Sequence, residues 1–258
     1  MIKDARRALA LLTVAPDTRD PVDRSGATGW FPWVGLALGA VTVLPLAVVA
    51  ALNADGGQGE IIARAAVLFA MLVVGIQGLL SRLVHFESFA RLMHAVFKGK
   101  TPRERLALLE TESITYVGAA AVALATFLYI AATTVVLGSD NEIWLLIAVP
   151  VLGRLSATFG AWFGSSATPD GLHAGMIGQP KPLTIIIAAS ALVLVAAGMF
   201  HFYDRTGLIW LAFAAFVALS IPHQLAEKFK GVTGDVMWAS VLITEVIALV
   251  FAAIWLAW

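Results

Sequence analysis

Long apolar runs separated by short polar stretches constrain this 258-residue chain more than any other feature. A bilayer core about 30 Å thick is crossed by roughly 20 apolar residues of helix. Seven segments reach or approach that length: Phe31–Leu52, Ala65–Leu80, Thr115–Leu137, Ile143–Phe163, Pro182–Phe200, Gly207–Ile221 and Val236–Trp258. None alternates in strand fashion from end to end, and lipid accepts only helices or closed barrels. The expected fold is all-α: a polytopic membrane protein of about seven transmembrane helices, the second and sixth of them short, forming a single integral membrane domain over 1–258. Composition agrees. The chain is 60% hydrophobic and 13% charged, whereas soluble domains are roughly 25% charged. That excludes a soluble globular enzyme, a disordered chain and a coiled coil. Disulfides and thiolate chemistry are excluded by the absence of cysteine. Seventeen Lys and Arg balance seventeen Asp and Glu, so no net field favours nucleic acid as a partner.

Where the charges sit says more than their sum. Lys3, Arg6 and Arg7 precede Ala8–Val14, but this stretch lacks a signal-peptide cleavage pattern and reads as an amphipathic helix on the membrane surface. With seven crossings, fourteen of the seventeen cations fall on one side, in 1–30, 81–114, 164–181 and 222–235. Arg64 and Arg205 fall opposite and Arg154 lies within a span. The positive-inside bias then places the N-terminus and the 81–114 loop in the cytoplasm and the C-terminus outside, in a cell inner membrane. The outer connections Asn53–Arg64, Gly138–Glu142 and His201–Thr206 are short, so polar mass collects on the cytoplasmic side.

Four places carry candidate chemistry. Within Ser81–Gly99, Leu83, Phe86, Phe89, Ala90, Met93, Val96 and Phe97 recur at helical spacing, while His85, Glu87, Arg91, His94 and Lys98 take much of the remaining surface. An interfacial helix with a solvated charged face accounts for the pattern, Glu87 and Arg91 forming an ion pair one turn apart. A phosphate or headgroup site at the lipid boundary is the functional alternative. Glu110 and Glu112 precede the third span, where they are solvated, cap its N-terminus, or bind metal if a further acid faces them. Arg154 and Glu245 lie deep in the fourth and seventh spans, where charge is expensive and must pair or line a polar path. Finally, Lys228-Phe-Lys230-Gly231-Val-Thr-Gly234-Asp235 joins the last two spans. Its glycines permit backbone angles that can cradle an oxyanion, and Asp235 stands where a helix N-cap is wanted.

Several of these pieces together resemble the cobalamin synthase (adenosylcobinamide-GDP ribazoletransferase) family. LALLTVAPDT at 9–18 resembles the family's "FLTRLPVP" opening, and GWFPWVGLALGA at 29–40 is similar to its "RYFPLVGLLIGA". GVTGDVMWASVLITEV at 231–246 is similar to the "GGVTGDVLGA…ELTE" ending and is the most specific match. The order and spacing fit nearly end to end. The middle departs. Against the family's L-H-x-D-G-x-A-D-x-x-D-G, this chain keeps His85 and Ala90 and has Glu87 for the first Asp. Arg91 and His94 stand for the second and third, and Ser88 and Ala95 for the glycines. An acidic stretch becomes a nearly neutral one. Of the family's later K-D-S-R-I-G-T-F-G, Glu112-Ser113 and Gly118 remain.

The resemblance implies a membrane transferase joining the 5′-hydroxyl of α-ribazole to the cobinamide phosphate of adenosylcobinamide-GDP with release of GMP. It also implies magnesium beside the diphosphate. On that reading Glu87 and Glu112 hold one magnesium and share the catalytic site with His85, the nearest proton acceptor, since imidazole titrates near neutrality. Arg91, Lys98 and Lys100, with Lys228, Gly231, Gly234 and Asp235, then bind phosphate, an Arg being able to grip an oxyanion with two donors. The implied partners are corrinoid and nucleotide substrates, the lipid bilayer and other corrinoid-pathway proteins. A paralogue that binds a corrinoid or nucleotide without catalysis is an alternative. A small-molecule transporter is another, with Arg154, Glu245 and Gln77 lining a path, although no internal repeat of the transporter kind is visible.

Overall fold

The computed structural model describes residues 1–15, 25–52, 58–111, 115–139, 143–169 and 173–257. Regular structure among them is helical, with one isolated bridge between Ser166 and Val232. In chain order the helices are α1 (Ile2–Leu12), α2 (Phe31–Thr42), α3 (Leu44–Leu52), α4 (Gln58–Arg64), α5 (Ala66–Leu80) and α6 (Val84–Lys98). They continue as α7 (Pro102–Leu109), α8 (Tyr116–Leu137), α9 (Ile143–Phe163), α10 (Pro182–Phe229) and α11 (Gly234–Leu256).

By length and composition five of the helical stretches can cross a bilayer, and α5 with α6, bent by 87° between them, makes a sixth. The remaining crossing lies inside α10. Its 48 residues span about 72 Å at 1.5 Å per residue, more than twice the hydrocarbon core. Asp204 breaks it with φ 52° and ψ −140°. A Cβ added at Gly207 would lie 2.5 Å from the carbonyl oxygen of Met199, so the two arms fold back on each other. The expected spans Pro182–Phe200 and Gly207–Ile221 are these arms. What was expected as a loop at His201–Thr206 is helix up to and beyond one sharp turn. The sixth span is also longer than expected, because helix continues past Pro222 to Phe229 through His223, Gln224, Glu227 and Lys228. Those side chains lower hydropathy without ending the backbone ladder.

Helix α9 is the axis of the bundle. It packs against α2, α10 and α11 and is buried nearly all round, from Leu145 to Trp162. Such a helix has no solvent or lipid stripe, which matches a sequence apolar on every side except for the buried Arg154, Ser156 and Thr158. Small residues set the approach distance, as is usual where lipid supplies no hydrophobic drive between helices. A Cβ on Gly39 of α2 would sit 2.8 Å from the Ile147 carbonyl oxygen, and one on Gly153 of α9 would sit 2.6 Å from Glu245 Cγ.

Two amphipathic segments are helical as expected but face differently. On α1, Ala8 and Leu12 are fully buried in a cluster with Ala27 and Phe31, so its apolar face docks on protein. On α6 the buried stripe is His85, Ser88, Leu92 and Ala95, whereas Leu83 and Phe97 are exposed. Phe86, Phe89, Met93 and Val96 are partly buried against the bundle on either side of that stripe.

Candidate functional site

The site begins at the N-terminus of α11. Lys230 (φ 53°) and Gly231 (φ 152°) reverse the chain after α10. A side chain at Gly231 would be strained and would also meet Ala167 N at 2.7 Å. Val232 then pairs with the 165–167 segment, its N–H donating to Ser165 O (2.7 Å) and its carbonyl accepting from Ala167 N (3.0 Å). This clamp brings Thr168 and His173 over the first turn of α11. Thr233 is the N-cap, its Oγ1 accepting from Val236 N at 3.2 Å. The cap expected of Asp235 is therefore made two residues earlier, which leaves the Asp235 carboxylate to line a cavity together with Ser88 of α6.

Between α6, α7 and α11 lies a cavity of about 350 Å³. Glu87, Ser88 and Arg91 of α6, Glu110 at the end of α7, and Gly234 and Asp235 of α11 form its polar walls. Thr168, His173, Thr233 and Trp238 close it from the loop side, and Leu11 of α1 covers part of it. Glu87 and Arg91 are ion-paired at 2.9 Å. Trp238 Nε1 donates to His173 Nε2 at 3.3 Å, which orients both rings. The lining thus carries three carboxylates and one guanidinium. Glu110 does not cap α8; Thr115 does, accepting from Gly118 N at 3.2 Å.

The structure therefore gathers four of the expected site residues, Glu87, Arg91, Gly234 and Asp235, around one space. Others lie elsewhere. His85 is buried behind Trp238, ring centroids 6.2 Å apart, with its Nε2 3.3 Å from Arg154 Nη2. It does not line the cavity. Lys98, Lys100 and Lys228 are exposed and do not line it either. Lys100 N donates to Glu104 Oε2 (2.9 Å), and the Lys228 carbonyl accepts from Arg105 Nη1 (3.0 Å). Gly231 shapes the turn beneath the cavity rather than its wall. Glu112 lies outside the described residues, as do Arg19 and Arg24. Ser88, His173 and Trp238 were not anticipated. Trp238 shares the helical face of Gly234 and Asp235 at i+4 and i+3, a signal obscured by expecting the helix to begin at Val236. His173 carries no signal beyond its place in a polar loop.

Deep in the bundle, Arg154 and Glu245 pair with each other. Gln77 Nε2 (2.8 Å) and Tyr129 OH (3.2 Å) both donate to Glu245 Oε2. The three polar residues proposed for a transport path thus form one buried network centred on Glu245, with Arg154 Nε left unpartnered among the described residues.

These features define a class: a multi-pass α-helical membrane protein whose polar, mainly acidic cavity is walled by a surface helix and the start of its last span. Comparison of sequences makes this specific. The profile of the cobalamin-5-phosphate synthase family matches residues 4–253, and the chain belongs to that family. An adenosylcobinamide-GDP ribazoletransferase of Syntrophobacter fumaroxidans is 29% identical over 256 residues, 95% of this chain and 96% of the relative. One of Prosthecochloris aestuarii is 29% identical over 245 residues, covering 93% and 92%. One of Chlorobium chlorochromatii is 27% identical over 269 residues, covering 97% and 95%. No solved structure matches the chain.

Proposed function

We propose that this protein joins α-ribazole to adenosylcobinamide-GDP, releasing GMP, and that the cavity between α6 and α11 is where it does so. The carrying observation is that this cavity unites Gly234 and Asp235, from the most family-like segment, with Glu87 and Arg91, from the segment that departs most. In the reaction the 5′-hydroxyl oxygen of the nucleoside forms a bond to the cobinamide phosphorus. The bond from that phosphorus to the bridging oxygen breaks, and GMP leaves with the electron pair. Positioning and charge neutralisation supply most of the rate in such a transfer. Arg91 grips a phosphate oxygen, released from Glu87 as the anion arrives. The hydroxyl proton passes to a carboxylate of the lining, that of Asp235. His85 acts from behind, holding Trp238 and through it His173.

Magnesium belongs to the same proposal. The described residues hold no group of three His, Asp or Glu spaced for one ion. Magnesium is more often held by one or two carboxylates plus substrate phosphates than by an all-protein cage. Glu110 lines the cavity with no ion pair among the described residues, and its chemistry suits that arrangement. There the ion would neutralise diphosphate charge. The pair first expected, Glu87 and Glu112, is less suitable, since Glu87 is tied to Arg91.

The bilayer is proposed to be the cell inner membrane, N-terminus and α6 on the cytoplasmic side, on the strength of the cation asymmetry. Full-length protein in liposomes, supplied with adenosylcobinamide-GDP and α-ribazole with and without magnesium, tests the reaction. GMP release that needs both substrates is expected. Folded protein that releases none above an empty-liposome control refutes it.

A further inference from the structure

A second, larger cavity of about 460 Å³ lies on the adjoining flank of α6, between α6, α7 and α8. Its walls are apolar, chiefly Leu83 just before α6 and Phe86 and Ala90 of α6, with Ala119, Val122 and Ala123 of α8. Glu87 and Arg91 line it as well as the polar cavity. The two spaces are thus adjoining compartments divided by one ion pair. His94, which takes the place of a family aspartate, also lines the apolar one. Its Nδ1 is shielded from solvent with no hydrogen-bond partner among the described residues.

We infer that this apolar compartment seats the aromatic nucleoside acceptor, its base against Phe86 and the α8 alanines. This rests on the transferase reading above. Three observations single out this occupant. The volume falls within the range of about 300–1,000 Å³ typical of small-molecule pockets. A flat aromatic base matches walls of Leu, Phe, Val and Ala, as a diphosphate does not. The shared Glu87–Arg91 boundary lets a 5′-hydroxyl reach from this compartment to phosphorus in the other, which in-line attack requires. A lipid acyl chain would fill the same walls but has no polar group for the Glu87–Arg91 ion pair that bounds them.

Ala119 and Ala123 are exposed on α8 and line the compartment, so a larger side chain there fills it without disturbing the core. Ala120, equally exposed on the same helix, does not line it and serves as control. Binding of α-ribazole to full-length protein in nanodiscs is measured by equilibrium dialysis, with adenosylcobinamide-GDP binding in parallel. Ala119→Phe and Ala123→Phe are expected to weaken nucleoside binding at least tenfold and leave donor binding within twofold, while Ala120→Phe changes neither. Nucleoside binding unaffected by both cavity variants overturns the inference, as does an equal loss in Ala120→Phe. So does a co-purifying phospholipid that the cavity variants displace while nucleoside binding persists. Wild-type turnover with unaffected nucleoside binding in Ala119→Phe would sink this inference alone. Nucleoside binding that follows the expected pattern with no GMP release would sink the transferase reading alone.

Discussion

Removing one member of the Arg154–Glu245 pair should be among the most damaging single changes in the protein. Arg154 is 0% and Glu245 2% exposed. Breaking a buried pair by deleting one partner costs about 3–5 kcal/mol, because the survivor is left charged and dry. The two deletions are not equivalent. Arg154→Leu leaves a carboxylate that still accepts from Gln77 Nε2 and Tyr129 OH. Glu245→Leu leaves a guanidinium facing only His85 Nε2 among the side chains it contacts, with its Nε already unpartnered among the described residues. Glu245→Leu should therefore lose about 5 kcal/mol and Arg154→Leu about 3 kcal/mol, two to nearly four decades in the unfolding constant. The double variant removes both charges and should be markedly more stable than the sum of the two losses implies. Unfolding in mixed micelles by SDS titration, followed by the fluorescence of the eight tryptophans, reads all four proteins. Single variants within about 1 kcal/mol of wild type, or a double variant equal to the sum, would refute the account of this network.

Three further outcomes are expected. Arg91→Ala should weaken nucleotide binding at least tenfold, whereas Arg103→Ala, whose side chain does not line the cavity, should change it less than twofold; equal effects on isothermal titration would return α6 to a merely interfacial role. Gly153→Ala places a Cβ 2.6 Å from Glu245 Cγ and should destabilise by about 1–3 kcal/mol in the same SDS titration; no loss would mean α9 and α11 are further apart than described. A reporter fused after Trp258 should be active only when exported; a cytoplasmic signal would mean an even number of crossings.

Much of the fold was legible because lipid simplifies the problem: each apolar run had to be a helix, and α9 was delimited to the residue. What hydropathy could not show was continuity and facing. It ended the sixth span at Ile221, where polar residues begin, although the helix runs to Phe229. It gave α6 a solvated charged face, whereas His85 and Ser88 turn inward with Leu92 and Ala95, and Phe86, Phe89, Met93 and Val96 pack partly buried beside them. The candidate site was legible in part. Glu87, Arg91, Gly234 and Asp235 were singled out by charge, glycine spacing and family likeness, and they meet. Lys98, Lys100 and Lys228 were chosen by charge alone, and charge does not say which way an exposed side chain points. The role proposed for Asp235 depends on Thr233 taking the cap, a choice between neighbours that spacing does not decide. His173 arrives through a backbone clamp between Ser165, Ala167 and Val232 that leaves no trace in sequence.

Photoaffinity labelling of the full-length protein with an azido-guanosine form of adenosylcobinamide-GDP, mapped by mass spectrometry, tests the placement of the site most directly. Label competed by unmodified donor should fall on residues 84–91 of α6 and 233–238 of α11. Competed label confined to the outer ends of α8 and α10, with none on α6 or α11, would contradict the account.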